Sequence, residues 1–162
     1  MRREADVKPY RIYVDTSVIG GCLEPEFSKW SNKLIERARS GSIVVLISDI
    51  VLRELEPAPV EVRKVFERLS WANLEDVPVT AEVTALAQAY LAEGVVGPRS
   101  LDDAGHVAAA SVARADAIAS WNFKHIVHID RIRGYQRVNL MRGYGILTIL
   151  SPRELADDAQ EG

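Results

Sequence analysis

In 11-RIYVDTSVIGG-21 an apolar run ends on an acid, and two hydroxyls come at once after it. Ile12, Tyr13 and Val14 are β-branched or aromatic in a row, so residues 11–15 read as a strand. Asp15, Thr16 and Ser17 then admit two readings. All three residue types satisfy free backbone N–H groups, and so form turns or helix caps. Alternatively, Asp15 stands at the carboxyl end of a first strand, where open α/β sheets place their ligands. The remaining residues of the chain decide between the two.

Three more β-rich runs occur, at residues 43–47, 117–120 and 146–149, and a weaker one at 74–77. Between them the apolar period becomes helical. Phe27, Trp30, Ser31, Leu34, Ile35 and Ala38 repeat at the spacing of an amphipathic helix, as do Val62, Val65, Phe66 and Leu69. Val83, Leu86, Ala87, Tyr90 and Leu91 come after a plausible N-cap at Thr80. The alanine-rich run 101-LDDAGHVAAASVA-113 is a further helix that must pack closely on most sides. Strands alternating with helices predict a three-layer α/β/α sandwich around a central, mostly parallel sheet. With 162 residues and only short linkers at 56–59 and 94–100, the chain reads as a single domain. Its core spans about 11–155, with an acidic tail over 156–162.

Composition narrows the setting. The chain is 48% hydrophobic and 27% charged, ordinary for a globular protein, and lacks an apolar signal core or membrane-length segment. Its one cysteine, Cys22, excludes an intramolecular disulfide framework and fits a reducing cytoplasm. A formal charge of −3 argues against indiscriminate binding to polyanions. Between Trp121 and Arg142, however, stand Lys124, Arg131, Arg133, Arg137 and Arg142 against the single acid Asp130. Such a strip is either a solvated face or a local phosphate-binding surface.

The acids fall at suggestive places. Ser48 caps a short helix over 49–56, stopped by Pro57. Around that helix Ile50, Val51, Leu52 and Leu55 share one arc, and Glu54 lies inside it while Arg53 points outward. An inward carboxylate needs a partner or a metal, unless Glu54 sits at the edge of the face. In the alanine-rich helix Leu101, Ala104, Ala108 and Val112 form the packed stripe. Asp102 and Asp103 lie off it, about 100° apart, so only one of them can face a given ligand. His106 is in reach of either, as a hydrogen-bond partner or a packed ring. Ser120 and Asn122 close the run 117–120. Carboxylates about 5 Å apart repel by roughly 3 kcal/mol at an effective dielectric of 20. Three converging ones bind a divalent cation or protonate, and all-oxygen ligands favour magnesium or manganese.

The segments 12-IYVDTSVI-19, 48-SDIVLRELE-56, 102-DDAGHVAAA-110, 120-SWNFKHI-126 and 146-ILTILSPREL-155 together resemble the PIN-domain nucleases, and among them the VapC-type toxins of type II toxin–antitoxin pairs. The resemblance runs from about Arg11 to Leu155. It implies a metal-dependent endoribonuclease with Asp15, Glu54 and Asp103 as metal ligands for Mg2+ or Mn2+. Asn122 stands where many members carry a fourth aspartate, and Ser120 where they carry Thr or Ser. It further implies RNA as substrate, with Ser120, Lys124 and Arg131 meeting it. A small antitoxin protein and a second copy of the chain are the implied partners, in the cytoplasm. Phe27, Trp30 and Tyr90 are the aromatic residues available for such pairing. The competing reading is a PIN-fold module that holds RNA or protein without cutting. A small-molecule phosphatase fits less well, because Asp15 is followed by Thr and Ser, with no second Asp two residues on.

Overall fold

A computed structural model describes residues 8–70 and 74–161. Its five strands are β1 (Tyr10–Val14), β2 (Ile43–Ser48), β3 (Leu74–Val77), β4 (Ala117–Ala119) and β5 (Thr148–Leu150). They form one sheet in the order β3-β2-β1-β4-β5, and every neighbouring pair is parallel. The helices are α1 (Thr16–Gly21), α2 (Ser28–Arg39), α3 (Asp49–Leu55), α4 (Val60–Ser70), α5 (Ala81–Ala92), α6 (Leu101–Val112), α7 (Ile129–Met141) and α8 (Pro152–Glu161). The three-layer architecture expected from the alternation is therefore the one observed.

Period-two alternation divides the core in two. Ile12, Val14, Val45, Ile47, Ala117 and Ala119 face a cluster with Val18, Ile19, Leu34, Ile35 and Leu69 from α1, α2 and α4. Tyr13, Leu46, Ile118 and Ile149 face the opposite cluster, with Leu86, Tyr90, Val107, Tyr135 and Val138 from α5, α6 and α7. The chain leaves β1 toward β2 over the first face and returns from β3 to β4 over the second. Right-handed crossovers require such a change of face when the direction across the sheet reverses. The reversal leaves a crevice at the carboxyl ends of β1 and β4, the usual ligand position in open α/β sheets. Asp15 comes directly after β1 and Ser120 after β4, so both stand at that crevice.

Several local signals act as read. Ser48 Oγ accepts the Ile50 N–H, and Thr80 Oγ1 accepts that of Val83. The expected arcs fail at two leucines: Leu52 is 45% and Leu101 42% exposed. Both helices are covered along narrower faces than a full apolar arc. Cys22 is buried, and that burial lifts its thiol to about 11, as for an inert packing residue. Tyr90, considered for pairing between chains, is fully buried in the core and hydrogen-bonds Asn139 at 2.5 Å. Among the described residues no helix is long and apolar enough to cross a membrane.

Candidate active site

Asp15 is the centre of the arrangement. It occupies the N-cap position of α1, yet its side chain makes no capping hydrogen bond. Instead Ser17 Oγ donates to Oδ1 at 2.6 Å and Ser120 Oγ donates to Oδ2 at 2.5 Å. Those hydroxyls are themselves anchored, because Ser17 accepts the Trp121 N–H and Ser120 accepts the Asn122 N–H, each at 2.9 Å. The loop after β4 is thus tied to the loop after β1 through the carboxylate. Asp15 is only 4% exposed, and burial raises its pKa against the opposing influence of His106, Ser120 and Ser17. Ser120, expected to meet substrate, is fully buried and acts by holding Asp15.

Glu54 comes from α3 with its side chain one-third exposed. Thr16 Oγ1 and His106 Nε2 both bond its Oε1, at 2.9 and 2.6 Å, and among the described residues no hydrogen bond goes to Oε2. His106 is nearly fully buried, and its Nδ1 lies 2.7 Å from the Tyr13 hydroxyl, which lies 2.6 Å from Ser48 Oγ. An ionised Glu54 only accepts, so His106 Nε2–H is the donor of that bond, and Ser48, Tyr13 and His106 form a continuous buried chain of short contacts that ends on the carboxylate. Burial alone would raise the Glu54 pKa, but His106, then Thr16 and Arg53, outweigh it and hold it below the usual value. Burial raises that of Tyr13 far above its ordinary one, so its hydroxyl stays protonated.

The adjacent acids of α6 are separated cleanly. Asp102 is exposed and pairs with Arg53 at 2.6 Å. Asp103 is partly buried and turned inward, where Asn122 Nδ2 donates to its Oδ1 at 3.0 Å. Burial raises the Asp103 pKa; His125 and His106 oppose this, while repulsion from Asp15 and Glu54 adds to it. The Asn122 side-chain carbonyl accepts the N–H groups of His125, at 2.9 Å, and Lys124, at 3.3 Å. Asn122 is therefore a clamp between the loop after β4 and Asp103, with its oxygen turned to its own backbone.

The three carboxylates feel one another without closing up. Among the described residues no three His, Cys, Asp or Glu side chains form a ready-made metal cluster. The donors are all oxygen, two of the carboxylates are destabilised by burial, and among the described residues no lysine or arginine is bonded to any of the three. This chemistry fits a hydrated magnesium ion, which retains several waters and takes only one or two carboxylates directly.

The basic segment divides in two. Lys124, Arg133, Arg137 and Arg142 are exposed. Arg131 is not a free surface cation, because its Nη1 donates to the Val95 carbonyl at 2.7 Å. Sequence reasoning treated Tyr13 only as a strand residue and Ser48 only as a cap, and left the role of His106 open. One signal was present: Tyr13 and Asp15 share a face of β1 by period two, the face covered by the helix bearing His106 and Asp103.

No protein-family model and no curated protein matches this sequence. Solved structures do resemble it. The Sarcin-Ricin loop cleaving toxin VapC20 of Mycobacterium tuberculosis is 19% identical, with a TM-score of 0.54 over 70% of this chain and 92% of that one. The VapBC2 structure from Rickettsia felis, bound to a DNA fragment from its promoter, is 17% identical, with a TM-score of 0.53 over 86% and 96%. At such identities the likeness speaks to architecture. This chain has the PIN-like α/β/α fold of the VapC-type structures.

Proposed function

We propose that the protein is a magnesium- or manganese-dependent endoribonuclease, the toxin of a type II toxin–antitoxin pair. The observation that carries this reading is the buried Asp15 carboxylate at the β1/β4 crevice, flanked by Glu54 and Asp103 with no cation bonded to it among the described residues. Asp15 and Asp103 would hold the ion, with Glu54 Oε2 direct or through water. The chemistry a bound ion supplies is a more acidic water and charge stabilisation at the scissile phosphate. The chain supplies the rest. Ser17 and Ser120 orient Asp15, Thr16 and His106 orient Glu54, and Asn122 orients Asp103. Lys124 and the exposed arginines of α7 attract the phosphate backbone. A small antitoxin, a second copy of the chain and a cytoplasmic setting come with the resemblance to VapC-type toxins. The fully buried Tyr90 contributes nothing to such pairing.

The test is magnesium-dependent cleavage of single-stranded RNA by wild type, Asp15→Asn and Asp102→Asn. Asp15→Asn should abolish cleavage and any thermal shift on adding manganese. Its metal-free midpoint should equal or exceed that of wild type, because a buried charge has been removed. Asp102→Asn, which loses only an exposed ion pair, should cut normally. Near wild-type cleavage by Asp15→Asn would remove the enzyme reading.

One observation favours the alternative, a module that binds RNA or protein without cutting. Asn122 brings no charge, and its carbonyl is engaged by backbone N–H groups. RNA binding by wild type without cleavage at any magnesium concentration would establish that alternative.

A further inference from the structure

On the other side of Asp15 from α7, Trp30 gathers three cations. Lys29 Nζ lies 4.5 Å from the indole centroid, Arg153 Cζ 5.6 Å and Lys33 Nζ 5.9 Å. Attraction to the ring face explains how each is held, but not why three like charges share one ring. Among the described residues none of the three is in an ion pair, Glu24 and Glu26 of the preceding loop included.

Their position in the helices sharpens the point. Lys29 is the second residue of α2 and Arg153 the second of α8. A cation in a first turn opposes the helix dipole, whose positive end lies there, and first turns ordinarily favour acids. The first turn of α2 carries no acid at all. That of α8 carries Glu154, but this side chain is committed to a capping box: it accepts the Ser151 N–H at 3.2 Å, while its own N–H goes to Ser151 Oγ at 3.3 Å. Two helix N-termini and three cations with no ion pair among the described residues thus meet at Trp30. An anion placed there would relieve the repulsion and satisfy both dipoles.

A residue adjacent to the cluster is hydrogen-bonded toward the candidate active site. Ser31, next to Trp30, accepts the Trp121 indole N–H at 2.8 Å, and the Trp121 backbone N–H reaches Ser17, which donates to Asp15. The N-terminus of α2, the start of α8 after β5, and Asp15 after β1 all lie at the carboxyl edge of the sheet. We infer that Lys29, Lys33 and Arg153, assembled on Trp30, bind a backbone phosphate of single-stranded RNA flanking the scissile position. The cluster complements Lys124 and α7 on the opposite face, so that the strand crosses the crevice between two basic banks. This rests on the nuclease reading.

The experiment is fluorescence anisotropy of a short labelled single-stranded RNA in EDTA across a salt series. It compares wild type with Lys29→Glu/Lys33→Glu/Arg153→Glu, both checked for an unchanged thermal midpoint. A milder Lys29→Gln/Lys33→Gln/Arg153→Gln variant serves if the charge reversals unfold the protein. Loss of affinity of at least about tenfold, with the slope of log affinity against log salt reduced by roughly 0.7 per lost phosphate contact, is the expected result. With magnesium, KM should rise and kcat hold. Unchanged affinity and slope overturn the inference, even if wild type cleaves RNA normally. A wild type that binds RNA through these residues and cuts none would remove the nuclease reading and leave the phosphate site standing. A wild type that binds no RNA removes the site.

Discussion

Tyr13 shows how far a single hydroxyl can act. It lies in the central strand, fully buried, and bonds no carboxylate among the described residues, yet its hydroxyl braces the far side of the histidine that grips Glu54. Tyr13→Phe keeps the ring and leaves His106 Nδ1 and Ser48 without that partner. Stability should fall by about 1–3 kcal/mol, the cost of unmet buried polar groups. Manganese affinity, read by calorimetry, should fall by about tenfold or more, as when an outer hydrogen bond to a ligand is cut. Equal metal affinity in the two proteins would reduce Tyr13 to a packing residue. Residues of this kind are hard to read from sequence. Asp15 and Glu54 were legible as acids at a strand exit and an inward helix position, and Asp103 was told from Asp102 only by the resemblance, whereas a tyrosine among β-formers looks like core. The hydroxyl's partner is 93 positions away, and only the docked helix supplies it.

Elements with a strong period were the easiest to read, and close approach between them was not. The strand at 74–77 and the helices from α2 to α6 emerge directly from β-propensity, periodicity and caps. Three helices were not anticipated. The six residues of α1 are too few to display a period, α7 mixes charge with apolar residues, and α8 begins in what read as a turn. The last strand also starts two residues later than its β-rich run, because Ile146 is 76% exposed and outside the pairing. Glycines mark where elements nearly touch. A Cβ on Gly21 would meet Trp121 Nε1 at 2.7 Å and Ser31 Oγ at 2.8 Å, both held by their mutual hydrogen bond. One on Gly105 would meet the mobile end of Ile50 at 2.6 Å. Gly21→Ala should therefore cost about 1–3 kcal/mol through forced displacement. Gly105→Ala should be near neutral, since removing a mid-helix glycine gains about 0.5–1 kcal/mol against a small shift of Ile50. Thermal denaturation of the two variants checks this; an equal loss would mean that α3 and α6 are as rigidly apposed as α1 and the loop after β4.

For the molecule as a whole, the carboxylates set how stability responds to pH. Asp15 and Asp103 have folded-state pKa values above the unfolded value of about 3.9. Over that interval the folded chain binds more protons, so their contribution is lost as pH rises through the raised values. Glu54 is depressed, and its contribution is lost only as pH falls through a value below its ordinary one. In EDTA, the thermal midpoint should thus fall as pH rises from the unfolded value through the raised ones, by about 1.4 kcal/mol in stability per unit of raised pKa. Saturating manganese should cancel that fall, and Asp15→Asn should flatten it. A midpoint climbing steadily to neutrality without metal would contradict the assignment. The bond from Ser120 to Asp15 spans 105 positions and joins the two strands at the middle of the sheet. During synthesis, the acid that emerges first waits for β4 to leave the ribosome before any hydroxyl of that loop can seat it. A nascent chain halted before Ser120 carries Asp15, Glu54 and Asp103 without the hydroxyl that seats the first of them, so the candidate site is completed only once β4 and the loop after it have been made.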